Sequence, residues 1–146
     1  MGPKATISEV GEEIVEEFNF FEDWMGRYEH LIDLGRSLSL IDNQYRTDDY
    51  RIRGCQAQVW LRASFQNGNI VFTADSDALI TKGLVALLVR VLNNRKPIDV
   101  LNADLNFLDK IQMKEHLSPT RKNGLDAMIR QIRLYAVGFM QTSQAS

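Results

Sequence analysis

Cysteine is nearly absent. Cys55 is the only one in 146 residues, so an internal disulfide is excluded, as is a multi-thiolate cage for zinc or an iron–sulfur cluster. Histidine is scarce too, with His30 and His116 alone, and the purified protein is expected to hold no stoichiometric zinc or iron. Neither sign of charge dominates: 17 Lys+Arg face 19 Asp+Glu, a net charge of −2, which lacks the basic footprint of nucleic-acid binding. No apolar run approaches the ~18 residues of a membrane span. There is no basic n-region followed by an apolar h-region of the secretory kind. The expected setting is therefore cytoplasmic, with no nucleic-acid or membrane partner. Met1–Thr6 formally fits an acylation pattern with Gly2 as acceptor and Thr6 as the hydroxyl, but Pro3 is an awkward neighbour for the modifying enzyme.

What is present suits one domain. With 45% hydrophobic and 25% charged residues, a chain of this length buries roughly two thirds of its unfolded surface without staples. Ile7, Val10, Ile14, Val15 and Phe18 recur at helical spacing opposite a row of glutamates, with Thr6 or Ser8 as cap. A second helix begins near Asp23, carries Trp24, Tyr28, Leu31 and Ile32 on one stripe, and is expected to stop at Gly35. Ser39 to Arg53 reads as a loop with one short strand approaching Gly54.

From Val59 the period changes to two. Val59, Leu61, Ala63 and Phe65 face one way and Trp60, Arg62 and Ser64 the other. Asn67-Gly68 makes the two-residue turn, and Ile70, Phe72 and Ala74 return. Asp75-Ser76-Asp77 reads as a helix-starting cluster, ahead of a broad apolar stripe from Leu79 to Leu92. Asn93-Asn94 ends that helix, Pro97 starts a short one, and Asp104 to Ile111 makes another. Ser118-Pro119 opens a long last helix faced by Leu125, Met128, Ile129, Ile132, Ala136 and Phe139. The order defines an α+β fold in one domain, residues 1–146.

Chemistry concentrates in Arg51-Ile52-Arg53-Gly54-Cys55-Gln56-Ala57-Gln58-Val59-Trp60. Cys55 follows a glycine just before a strand, which places it at a loop tip. Arg51 and Arg53 lie close enough in sequence to lower its pKa if they turn toward it. Gln56 and Gln58 offer amide donors to a sulfur anion. The same pattern also fits a cysteine used as a small buried hydrophobe. A hydrolase needs a histidine base. His116 is free in sequence terms to approach Cys55 but lacks any protease signature, and His30 sits on a helix. Gly83 and Gly124, single glycines inside helical patterns, read as close-packing points.

The heptapeptide Gly54-Cys55-Gln56-Ala57-Gln58-Val59-Trp60 resembles the cysteine segment of the SufE family, sulfur-acceptor proteins of iron–sulfur cluster assembly. Tyr28 and Leu34-Gly35, Asp75-Ser76-Asp77, Lys82-Gly83-Leu84, and His116-Leu117-Ser118-Pro119-Thr120-Arg121 with Gly124-Leu125 and Met128-Ile129 extend the resemblance over about residues 8 to 136. Ala57 departs from it, since Ser is common there, and removes a hydroxyl near Cys55.

The resemblance implies a fold like that of IscU-type scaffolds, a small antiparallel sheet with helices packed on it. It implies an accessory protein rather than an independent enzyme. Such a protein has no cofactor of its own. It takes sulfane sulfur as a persulfide on Cys55 from a pyridoxal-phosphate cysteine desulfurase of the SufS type, stimulates that enzyme, and delivers to a SufBCD-type scaffold. Gly54, Gln56, Gln58, Arg53 and Arg121 are the supporting residues. Arg121 reads equally as an anion or docking residue and as an exposed helical arginine. A CsdE-type paralogue serving the CsdA desulfurase would look nearly the same, a homodimer is open, and an interaction domain with a structural cysteine is the contrasting reading. A persulfide needs shelter, so the resting thiol should be tucked toward apolar neighbours.

Overall fold

The computed structural model describes residues 5–145. Gly2 and Pro3, and with them the acylation pattern, lie outside the described residues. Helix α1 spans Ile7–Asn19, and Thr6 closes a capping box with Glu9, the Thr6 hydroxyl accepting from the Glu9 amide at 3.1 Å. Its apolar face puts Val10, Ile14 and Phe18 into the core. Helix α2 spans Trp24–Arg36 under an Asp23 cap.

The hairpin follows the alternating pattern. Strands β1 (Val59–Gln66) and β2 (Asn69–Ser76) pair antiparallel from Val59 opposite Ser76 to Gln66 opposite Asn69. Asn67 and Gly68 turn the chain at φ 54° and 84°, the double positive φ of a type I′ turn. Val59, Leu61, Ile70, Phe72 and Ala74 are fully buried on the inner face. On the outer face Arg62 lies over Tyr45 at 4.0 Å and Arg46 over Trp60 at 4.8 Å. A bare two-stranded sheet would leave both edges open to pairing. Here Ile41 and Ser39 bond Ala74 along β2, while Ile52 N–H donates to the Val59 carbonyl at 2.8 Å along β1. Tyr135 O–H donates to the Leu61 carbonyl at 3.1 Å on the same edge.

Helix α3 (Leu79–Leu92) is buried on nearly every side and forms the centre of the molecule. Short helices α4 (Pro97–Leu101) and α5 (Phe107–Lys110) lead to α6, Pro119–Ala145. Ser118 caps α6, its hydroxyl accepting from the Arg121 amide at 3.3 Å. The α+β class is as expected.

Several local expectations give way. Gly35 does not stop α2: the helix continues through Arg36 and Gly35 is buried. A Cβ on Gly35 would stand 3.1 Å from the Gly83 nitrogen, so the residue serves the close approach of α2 to α3. Between Ser39 and Arg53 there are two 3-10 turns, Asn43–Tyr45 and Asp48–Tyr50, and in place of a strand Arg51 makes a single bridge to Trp60. The helix expected over Asp104 to Ile111 shrinks to Phe107–Lys110. Asp75 and Ser76 extend β2, and Ala78 stands at the α3 N-cap; no side chain caps the first turn of α3, though the Ser76 hydroxyl accepts from the Ala78 N–H at 3.2 Å. Strand pairing with Val59 and Trp60 holds them extended.

Candidate active site around Cys55

The cysteine loop has a firm base. Ile52 is buried at its start and bonded to Val59. At its end Gln58 is clasped by the residues that failed to cap. Gln58 N–H donates to Asp77 Oδ1 at 3.0 Å, the Ser76 hydroxyl donates to the Gln58 carbonyl at 2.8 Å, and Asp77 N–H reaches the same oxygen at 3.2 Å. Asp75 itself is buried and ion-paired with Arg46 at 3.1 Å and Lys82 at 3.2 Å, tying the Tyr45 segment and α3 to the strand. Gly54 turns the tip at φ +93°, a conformation that L side chains rarely adopt, and a Cβ there would touch the Ala127 methyl at 3.4 Å.

This geometry lays Cys55 on α6. The thiol donates to the Gly124 carbonyl at 3.6 Å, the one hydrogen bond the sulfur makes among the described residues. A Cβ on Gly124 would stand 3.5 Å from that sulfur. Burial pushes the Cys55 thiol above its ordinary value, and the nearby Arg51 charge offsets only part of the rise. The side chains of Arg53, Gln56 and Gln58 are exposed and none bonds the sulfur; what Gln58 contributes is its backbone. His116 is not a base for Cys55: its ring stacks on Trp24 with centroids 3.7 Å apart, and its Nδ1 lies 3.1 Å from the Gln112 carbonyl. His30 is held by Glu17 at 3.1 Å, beside Phe18 and Phe21.

Beside the sulfur opens a cleft of about 440 Å³ between the starts of α3 and α6. Its lining includes the small residues Ala57, Ala78 and Gly124 and the polar Thr81, Ser118, Thr120 and Arg121. Arg121 lines the same cleft as Cys55, is exposed, and has no ion pair among the described residues. Gly124 and Thr81 were not singled out as site residues. Gly124 carried the signal of an isolated helical glycine, and its packing partner is the thiol itself. No group of three or more His, Cys, Asp and Glu converges on a metal-sized site among the described residues.

Two outcomes follow from the geometry. Alkylation of Cys55 measured against pH should rise later, on the alkaline side, in the folded protein than in the unfolded chain; a coincident or earlier profile contradicts the burial argument. By linkage the same shift removes stability as pH rises from the unfolded thiol's pKa through the higher folded value. Asp77→Ala should cost about 1 kcal/mol, the scale of one hydrogen bond. Its signature is faster hydrogen exchange at the Gln58 amide while the β1–β2 ladder stays protected; unchanged exchange at Gln58 would show that the carboxylate does not hold the loop.

A half-buried thiol on a clasped loop over a helix-covered hairpin defines a small single-thiol α+β domain. Comparison with known proteins agrees. Residues 12–136 match the SufE family profile, described as an Fe-S metabolism associated domain, and the chain belongs to the SufE family. It is 37% identical over 127 residues to SufE-like protein 1, chloroplastic/mitochondrial, of Arabidopsis thaliana, covering 86% of this chain but 34% of that protein. It therefore spans about a third of that relative's length. It is 34% identical over 132 residues to an uncharacterized SufE-like protein of Rhizobium meliloti, covering 87% of this chain and 94% of that one. The solution structure of a hypothetical protein from Thermus thermophilus shares the fold, with TM-score 0.75 at 18% identity over 90% of this chain and 96% of that one. Among the described residues no helix is long and apolar enough to cross a membrane.

Proposed function

We propose that the protein accepts sulfane sulfur on Cys55 from a pyridoxal-phosphate cysteine desulfurase of the SufS type, stimulates that enzyme, and delivers the sulfur to a SufBCD-type assembly scaffold in the cytoplasm. One observation carries the reading: the only thiol of a SufE-family chain lies on a clasped loop beside an open cleft. In the transfer, the Cys55 thiolate attacks the outer sulfur of the partner's persulfide. A new S–S bond forms on Cys55, the partner's S–S bond breaks, and the partner leaves as thiolate, so no outside oxidant is needed.

The resting state is not the attacking state. With its proton directed at the Gly124 carbonyl and its pKa raised by burial, the thiol is quiet until docking moves the loop. Opening the loop tip, where the sulfur makes a single hydrogen bond, while the base stays clasped costs far less than global unfolding. The test is desulfurase turnover with free cysteine as substrate. Adding the protein should raise the rate, and alkylation of Cys55 should quicken in the complex. A partner-independent rate would overturn the reading. Parallel assays with SufS-type and CsdA-type desulfurases identify the cognate enzyme.

A further inference from the structure

The cleft beside Cys55 is larger than sulfur carriage needs. A persulfide adds one atom at about 2.0 Å from Sγ, whereas the space measures about 440 Å³, within the ~300–1,000 Å³ of small-ligand sites. Cys55, Ala57, Ala78 and Gly124 share its lining with Arg121 and Thr120, which lie in the first turn of α6. A helix start and a guanidinium both favour an anion. Arg121 has no carboxylate partner among the described residues, in a chain with more acids than bases.

Thr81 supplies an independent sign. It is 6% exposed and lines the cleft, and its hydroxyl makes no hydrogen bond within the described residues. The hydroxyl is accessible rather than sealed in the core, since Arg95 Nη2 is the one fully buried side-chain polar atom without a partner among the described residues, and it is free to bond a polar ligand in the cleft.

We infer that the cleft binds a low-molecular-weight thiol bearing a carboxylate, which receives the outer sulfur from Cys55. The carboxylate sits at Arg121 and Thr120, and the thiol end points at Cys55. Its thiolate attacks the outer sulfur of Cys55–S–SH; a new S–S bond forms on the small thiol, the Cys55 S–S bond breaks, and Cys55 leaves as thiolate. That thiolate takes a proton from solvent and regains the Gly124 carbonyl. The inference rests on the reading that Cys55 carries a persulfide, and it adds a small-molecule acceptor to the protein acceptor.

The experiment bypasses the desulfurase. Cys55 is loaded with inorganic polysulfide, excess reagent is removed, and loss of the added sulfur is followed by mass spectrometry with 3-mercaptopropionate or neutral 2-mercaptoethanol. Per thiolate, mercaptopropionate should discharge the protein about tenfold faster, from the charge-assisted contact, and its rate should saturate with concentration. Arg121→Gln should bring that ratio close to one, and Thr81→Val should lower it by less, both variants checked for native circular dichroism. A wild-type ratio near one with linear concentration dependence, or a ratio unmoved by Arg121→Gln, overturns the inference and leaves the cleft to a partner protein's chain. Refusal of Cys55 to hold sulfur from polysulfide overturns it too. Loading from polysulfide but never from a desulfurase defeats the proposed function alone.

Discussion

Cys55→Ser should fold like the parent and accept no sulfur. The wild-type sulfur is half-buried and makes one weak bond, to the Gly124 carbonyl at 3.6 Å. A serine hydroxyl can keep a donor near that carbonyl, so the stability change should stay within about 1 kcal/mol. The chemical effect is total, because an oxygen at this position cannot form a persulfide. Intact circular dichroism and thermal midpoint, with persulfide and desulfurase stimulation both lost, is the expected pair of results. Unfolding under mild conditions would instead mark Cys55 as a core residue, the contrasting reading of a lone cysteine beside a strand.

Gly83→Ala should be the most damaging of the glycine substitutions. A Cβ there would lie 2.3 Å from the Leu31 carbonyl oxygen, 2.7 Å from Leu31 Cγ and 2.8 Å from the Leu31 carbonyl carbon. Two of these atoms are backbone, so no side chain can swing aside and α2 must move off α3. Alanine gains up to about 1 kcal/mol over glycine in an open helix, but the overpacking should cost about 3 kcal/mol and reverse the sign. For a domain of this size that lowers the melting midpoint by roughly 10 °C. Gly138 is the control: it is exposed on α6, with nothing within 4 Å of an added Cβ, and Gly138→Ala should be neutral or slightly stabilising. Equal midpoints for the two variants would contradict the close helix contact.

The same contact shows what the sequence could and could not convey. The hairpin was fully legible, because Asn67-Gly68 and the alternation from Val59 to Ala74 are local signals that the register confirms. Ser118 was legible as a cap for the same reason, and Thr6 as one of two candidates beside Ser8. Gly35 was misread because a glycine after an apolar stripe looks like a helix stop, and only the position of Gly83 shows that it is a packing surface. Asp75-Ser76-Asp77 was misread because the residue types that cap helices also bond any nearby backbone. Ser76 and Asp77 bond Gln58 across the hairpin, and of the expected capping contacts only the Ser76 hydroxyl's acceptance of the Ala78 N–H, at 3.2 Å, is made.

At the site, Cys55, Gly54 and Arg121 stood out in the sequence and come together as a loop tip and a cleft wall. Arg53 does not bond the sulfur, and Arg51 acts on it only through its charge, which burial outweighs. Gly124 meets the thiol across 69 positions of sequence, a separation that local pattern cannot bridge. Thr81 lay within the apolar stripe of α3, where its hydroxyl gave no sign of the cleft.

Intact-mass spectrometry of the protein after incubation with desulfurase and cysteine tests the central claim most directly. The account predicts a gain of one sulfur, located on Cys55, removed by reductant and absent from Cys55→Ser. Unmodified protein beside a desulfurase that is demonstrably turning over would contradict it.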